Sequence, residues 1–372
     1  MPTREQELLL RAAWWRGIEA IDAWEKWRLS VDLSALDAGS TRVLPQLYLN
    51  LRANGLDPLL LEPFKEVYRQ AWSDNQRHFQ HASALLQRFH DAGIKTMALK
   101  GAALIANYYK DFGARPMGDF DILVPTDQRA AAITLLALWG WRPRELLPVY
   151  NSRAFIDTEN HEIDLHWHVL QECLDANADA DFWSGAMHAR IGDVSTFILN
   201  PTDMLLHICV HGFRWTRVPP IRWVADAMVI LNSAAGGIDW ARLIAQAKTR
   251  ALVRVMREAL SYLREQMNAP IPGETLRRLK GLPISRLERL DYQARTIPPR
   301  LFGVKVYWVG YLRLARTSPL GPFGLVEYLR RVWDLKHGWQ VPLFALGRLR
   351  FELRWRMRTP AAADMGKTER PA

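Results

Sequence analysis

The segment HEIDLHWHV at 161–169 constrains this chain more than any other. Apolar and polar residues alternate without a break. Ile163, Leu165, Trp167 and Val169 fall on one side; Glu162, Asp164, His166 and His168 fall on the other. A period of two is that of an extended strand with one face in a core. RAFID precedes it and TEN reads as a turn, so the pair forms a hairpin. Upstream, FDILVP (120–125) reads as another strand, stopped by Pro125. IKTMALKG (94–101) reads as a buried strand entering a Gly turn, followed by a short helix, AALIANYYK. DQRAAAITLLALWGW is a helix ending near Gly140.

On both sides the period lengthens. Residues 4 to about 90 carry apolar positions three and four apart, in LLLRAAWWRGIEAIDAWEKW and FQHASALLQRFHDAG, and Gly93 ends the last helix. From Pro201 onward the pattern is again helical: PTDMLLHICVHGF, IRWVADAMVILN, then one long helix over roughly 241–268. The expected class is α+β, with a small mixed-sheet core at 92–200. An N-terminal helical segment (1–91) and a C-terminal helical domain (201–296) flank it, and a basic, aromatic-rich helical appendage and tail (297–372) follow. A chain of 372 residues is long enough for this division.

Cys173 and Cys209 sit in no CxxC arrangement, which argues against a disulfide scaffold or a cysteine-rich zinc site. MPTREQELLLRAAWW lacks the basic start and apolar run of a signal peptide, and no stretch reaches the roughly 20 apolar residues that span a bilayer. The expected location is cytoplasmic.

Three features of the 92–200 unit carry chemistry. LKGAAL (99–104) is a strand, a glycine and a helix start, where backbone can approach a ligand and free N–H groups attract phosphate. MGDFDILVP puts Asp119 and Asp121 two apart on a strand, so both point the same way, framed by Met117, Phe120, Ile122, Leu123 and Val124. Two such carboxylates repel one another unless a cation sits between them, and Mg²⁺ prefers that all-oxygen setting. Read from this repulsion alone, Asp121→Asn would leave stability unchanged or slightly raised without metal. Asp164, on the polar face of 161–169, is the third acid.

LKGAAL, RPMGDFDILV and EIDLHWH in this order resemble the uncharacterised bacterial nucleotidyltransferases of the DNA polymerase β-like superfamily, over roughly 40–235. The resemblance implies transfer of a nucleoside monophosphate from an NTP, taken to be ATP, to an acceptor hydroxyl on a small molecule, glycan precursor or protein. It implies that Asp119, Asp121 and Asp164 are catalytic and hold Mg²⁺, with Mn²⁺ the alternative. Nucleotide contacts are expected at Lys100, Gly101, Ala102 and Arg115. Many superfamily members place Ser after the Gly, where this chain has Ala102; Lys100 is the substitute, pairing with the triphosphate. The other readings are a non-catalytic binding module of the same fold and a phosphotransferase using the γ-phosphate.

Several residues carry two readings. Lys100 is either a triphosphate ligand or a solvent-facing strand end. Arg115 is either a phosphate clamp or a salt-bridge partner of Asp111 or Asp119. His166 and His168 are read as surface or packing residues ahead of acceptor or metal contacts. His207 and His211, four apart on a helix, lack the further ligands of a zinc site. Arg222 and Asp226, also four apart, read as a helical ion pair.

The net charge of +10 asks for an anionic partner. Between Arg300 and Arg358, twelve Lys or Arg stand against Glu327, Asp334 and Glu352, interleaved with Trp333, Trp339, Phe344, Phe351 and Trp355. Basic amphipathic stretches lie on anionic membranes or grip nucleic acid; the membrane, on its inner face, ranks first of the two, and a solvated lid or oligomer contact is the plainer reading.

Overall fold

The computed structural model describes residues 1–144, 151–216, 221–233, 237–297, 304–317, 323–333 and 335–358. Arg300, Asp334 and the tail beyond Arg358 lie outside the described residues, as do the side chains of Arg348 and residues 351–358.

The amino-terminal helices are α1 (Arg4–Trp14), α2 (Gly17–Ser30), α3 (Ala38–Thr41), α4 (Leu44–Ala53) and the long α5 (Pro58–Asp91). Thr3 and Gln6 form a reciprocal capping box at the start of α1, which satisfies otherwise orphaned amides. Gly93, at φ +72, turns the chain out of α5.

The core follows as β1 (Met97–Ala98), α6 (Lys100–Leu104), β2 (Phe120–Leu123), α7 (Arg129–Leu138), β3 (Arg142–Pro143), β4 (Ser152–Ile156), β5 (Glu162–His166), α8 (Ala180–Ser184), β6 (Met187–Ile191) and β7 (Val194–Ile198). Among the described residues these strands make one mixed sheet in the order β3-β4-β5-β2-β1-β7-β6. β2 runs parallel to β5 and β1 parallel to β7, while the other pairs are antiparallel. The α+β class and the β4–β5 hairpin are as the sequence suggests. The β6–β7 hairpin is an addition, although MHARI-GD-VSTFI carries a two-residue Gly-Asp turn between alternating runs.

Helices α9 (Pro201–Gly212), α10 (Arg222–Asn232), α11 (Trp240–Thr249), α12 (Val253–Met267), α13 (Gly273–Gly281) and α14 (Arg286–Thr296) pack against this unit. The long helix expected at 241–268 is two helices. Ala251, at φ +51, breaks it, and Arg250 turns to donate to the Ala178 carbonyl. No Gly or Pro marks that break. One hydrophobic core runs from Leu9 to Leu279 through both helical layers and the sheet. Finally α15 (Val304–Thr317), α16 (Gly324–Val332) and α17 (Gln340–Arg358) gather around a small second core of Leu314, Tyr328, Val332, Trp333 and Val341. No described helix is long and apolar enough to cross a membrane.

Candidate active site

The site forms where β2 and β5 lie side by side. Parallel pairing sets Asp121 directly opposite Asp164, so the two carboxylates rise from the same face of the sheet. His166, two residues on, sends Nε2 between them, 2.9 Å from Asp121 Oδ1 and 3.1 Å from Asp164 Oδ2. Ser152 on β4 donates to Asp164 Oδ2 at 3.1 Å. Lys100 opens α6 and puts Nζ 2.5 Å from Asp121 Oδ1. It does so from a backbone φ of +40, a conformation that a lysine adopts only when its surroundings hold it.

These charges perturb one another. Burial alone would raise the Asp121 carboxyl, but Lys100 and His166 outweigh it and hold the group far below the usual range. Burial also opposes charge on Asp164, and the neighbouring His166 holds that carboxyl below its ordinary value. Lys100, despite burial, is raised by Asp121, Asp164 and Asp119. Asp119 goes the other way: the charge on Asp121 leads in pushing it up to about 6. Asp119 precedes β2 and stands apart from the tight trio of Asp121, Asp164 and His166, whose ligand atoms all lie within 4.8 Å of one another.

Two cavities open on this cluster. A larger one, of about 590 Å³, is lined by Lys100, Gly101, Asp119, Asp121, Arg42 and Arg222, among others. A smaller one, of about 200 Å³, lies against Asp164 and His166.

Arg115 belongs to the wall of the larger cavity. It forms a buried bidentate pair with Asp226, at 2.8 and 2.9 Å, and Tyr109 donates to the same carboxylate at 3.0 Å. This corrects two expectations. Arg115 pairs with neither Asp111, which takes the Tyr68 hydroxyl, nor Asp119; and Asp226 pairs across the fold instead of along its helix with Arg222. Arg222 donates to the Pro116 carbonyl at 2.6 Å, and burial together with the charge on Arg115 lowers its guanidinium to about 10. Gly101 is explained by the same neighbours, since a Cβ there would sit 2.6 Å from Met117 Sδ and 2.7 Å from Arg115 Nη1. Ala102 packs its methyl into the core.

His166 and His168 are both buried, so neither is a surface residue. His168 is structural: Nδ1 lies 2.7 Å from Asp179 Oδ2. His166, by contrast, sits within the acid cluster. Lys100 is likewise no solvated strand end, with its side chain only 16% exposed. Sequence reasoning missed Asn75 altogether. This fully buried α5 side chain donates to the carbonyls of Phe112 and Arg115 and accepts from the Met117 amide, so it holds the loop that delivers the two aspartates. Its only signal was an amide on the apolar face of a long helix.

Paired aspartates on a parallel strand pair, beside a glycine-containing helix start, make a core suited to handling phosphoryl groups next to a cation. Residues 37–268 match the model of the uncharacterised nucleotidyltransferase family, and the chain belongs to that family. Membership carries nucleotidyl transfer as the general activity, with an NTP donor and a divalent metal implied. No curated protein matches the chain. A crystal structure of an antigenic nucleotidyltransferase-like protein from Paracoccidioides brasiliensis is 14% identical, covering 55% of this chain and 97% of that one, with a TM-score of 0.37. A superposition that loose carries no argument.

Proposed function

We propose that this protein is a Mg²⁺-dependent nucleotidyltransferase that moves a nucleoside monophosphate from an NTP, most simply ATP, to an acceptor hydroxyl. The observation that carries the reading is the register of Asp121 against Asp164, with Lys100 and Gly101 at their side.

Asp121 and Asp164, with His166 between them and Asp119 just before β2, would hold a hard divalent cation, Mg²⁺ or Mn²⁺, mainly through carboxylate oxygens. Asp119 and Asp121 both line the larger cavity and repel one another, and a bound divalent cation would relieve that repulsion. Such a cation would neutralise charge on the phosphoryl group and make the acceptor hydroxyl more acidic.

The chain's own residues do the rest. Lys100, Arg42 and Arg222 line the larger cavity and supply positive charge for the triphosphate, while Arg115, fixed by Asp226, stiffens its wall. The acceptor oxygen attacks the α-phosphorus, the bond from that phosphorus to the bridging oxygen of the β-phosphate breaks, and pyrophosphate leaves. The hydroxyl proton passes to the Asp164 carboxylate, which His166 and Ser152 orient.

Purified protein incubated with Mg²⁺, cell extract and ATP labelled at one phosphate tests this reading. Label from the α-phosphate on an acceptor is expected. Label from the γ-phosphate alone would make the protein a phosphotransferase, and binding without transfer would make it a binding module.

We also assign α15 to α17 to a peripheral contact with an anionic membrane. Trp339, Leu343 and Leu346 are more than half exposed there, alongside exposed Lys336 and Arg350. Truncation before Pro319 is expected to abolish salt-sensitive cosedimentation with anionic vesicles and leave nucleotide binding intact. Loss of nucleotide binding or folding would instead make the segment part of the catalytic body.

A further inference from the structure

Two groups of metal-ligating side chains stand out among the described residues, and they share no member. One is the acid cluster of Asp121, Asp164 and His166. The other is His81, Glu159 and His161, whose ligand atoms likewise lie within 4.8 Å of one another. Nothing in the transfer chemistry uses this second group.

The fold assembles it from two elements. His81 lies on α5, while Glu159 and His161 belong to the turn between β4 and β5. Phe79, two residues before His81, packs edge-on against Phe120, whose register partner is Ile163. Neighbouring residues on a strand point to opposite sides, so α5 covers the face of the sheet away from Asp121 and Asp164. The second group lies on that far side, at the turn end of β5, and the two groups cannot share an ion.

We propose that His81, Glu159 and His161 bind a divalent transition metal ion of the zinc class, and that the bound ion clips the β4–β5 turn to α5. Donor chemistry is the first argument. Two imidazoles and one carboxylate suit Zn²⁺ and its neighbours, and do not meet the all-oxygen preference of Mg²⁺. Three protein ligands leave the fourth corner of a tetrahedron to water.

Geometry is the second. The rings of His81 and His161 have centroids 3.3 Å apart, closer than the roughly 4.5–7 Å of ordinary aromatic pairs. The His161 ring is also steadied from its other side. Asp157 Oδ2 lies 2.9 Å from His161 Nδ1, and Asp157 Oδ1 accepts from the backbone amides of Glu159 and His161. With Nδ1 donating to that carboxylate, Nε2 keeps the lone pair a metal takes, and metal-binding histidines commonly carry such a partner.

Access is the third. The side chain of Glu159 is 73% exposed and that of His161 23%, so an ion reaches them without opening the fold. The ion would brace elements that matter to the other site. α5 also carries Asn75, which holds the loop delivering Asp119 and Asp121, and His161 directly precedes β5, which carries Asp164.

The test uses the full chain, stripped of metal by a chelator and then kept in excess Mg²⁺ to occupy the acid cluster. Zn²⁺ is titrated by calorimetry, and Co²⁺ is followed by its visible absorption. One strongly bound Zn²⁺ per chain is expected, with a higher melting temperature and slower amide exchange at 157–161. His81→Gln and His161→Gln should each weaken Zn²⁺ about tenfold or more, and Glu159→Gln, at an exposed position, severalfold. Asp121→Asn should leave Zn²⁺ affinity unchanged. In the unaltered protein the imidazole nitrogen signals of His81 and His161 should move when Zn²⁺ is added. Absence of Zn²⁺ binding, or binding that survives both histidine variants, overturns the proposal. So does loss of binding in Asp121→Asn, which would put the ion in the acid cluster. Movement confined to other histidine signals overturns it as well, whether or not the variants fold.

Discussion

Two clusters of charge lie in this protein, one open to solvent at Asp119 and one sealed, and they are built on opposite terms. Around Asp121 the carboxylates are in excess: Asp119, Asp121 and Asp164 share Lys100 and His166. Around Glu172 the cations are in excess and the carboxylates satisfied. Glu172 takes Arg214, with Arg295 at 3.6 Å, and Asp291 takes Arg295 and Arg313 at 2.7 and 2.9 Å. Burial would raise the Glu172 carboxyl, but Arg214 and Arg295 lead in bringing it down to about 2. Asp119 is pushed the other way, up to about 6. A cluster whose anions are all answered fastens elements together, in this case the loop after β5, the end of α9, α14 and α15. A cluster left with an unanswered anion is prepared for a cation or substrate that comes and goes.

The largest effect expected from breaking this contrast is on the first cluster. Asp121→Asn should lower transfer by about 10³-fold, equivalent to about 4 kcal/mol, because it removes a carboxylate at the reacting centre. The structure also reverses the expectation that this change leaves stability untouched. Lys100 would lose its ion pair and His166 one of its two carboxylates, so a loss of about 3 kcal/mol without metal is expected. With Asp121 neutral, Asp119 should return toward its ordinary value, which an NMR titration of the carboxyl carbons reads directly. Unchanged melting together with an unmoved Asp119 would show that the pairings described here do not form.

Glu172→Gln attacks the second cluster. It should cost about 3–5 kcal/mol of stability, read by urea denaturation, since it leaves three arginines around a neutral amide. The pH dependence separates this from a packing effect. The carboxyl lies near 4.5 when unfolded and near 2 when folded. Its contribution is therefore present above about pH 4.5 and is lost as pH falls toward about 2. In the Gln variant the stability curve should be flatter across that window. An equally steep curve would mean that other carboxyls carry the acid limb.

The two clusters also differed in how far the sequence revealed them. Asp121 and Asp164 lie on strands whose alternation is local, and parallel pairing then needs only the right register. Their convergence was legible from MGDFDILVP and HEIDLHWHV. Glu172, Arg214, Asp291, Arg295 and Arg313 span more than a hundred residues and share no motif, so nothing in the chain announces them. The same holds for Arg115, whose partner Asp226 lies on α10, and for Asn75 on α5. His166 was placed on the correct face but read as packing, because alternation assigns a side and not a neighbour. The break at Ala251 was illegible for a different reason: an alanine in a left-handed conformation is imposed by tertiary contacts.

Gly101→Ala sharpens the boundary between the site and its scaffold. The added methyl meets Met117 Sδ, which can move, and Arg115 Nη1, which Asp226 holds. A cost of about 1–3 kcal/mol is expected, with affinity for an ATP analogue reduced, because the crowded atoms belong to the wall of the larger cavity. A neutral effect on both would mean that Arg115 gives way freely and that its pairing with Asp226 is loose.

The smallest effect belongs to a carboxylate that looks, by its acidity, like the twin of Glu172. Hydrogen bonds from Arg330 and Arg331 bring Glu327 down to about 2 as well. The surroundings differ. The Glu172 side chain is 2% exposed, whereas that of Glu327 is 33% exposed and that of Arg331 55%. Water and salt screen the second set, and each long side chain loses freedom in pairing, so equal shifts do not mean equal stabilisation. Glu327→Gln should therefore cost under about 1 kcal/mol, and the cost should shrink in high salt. The cost of Glu172→Gln should persist there. A Glu327 variant as damaging as the Glu172 variant would mean that α16 packs against the body as tightly as α14 does, and that the appendage is no separate basic module.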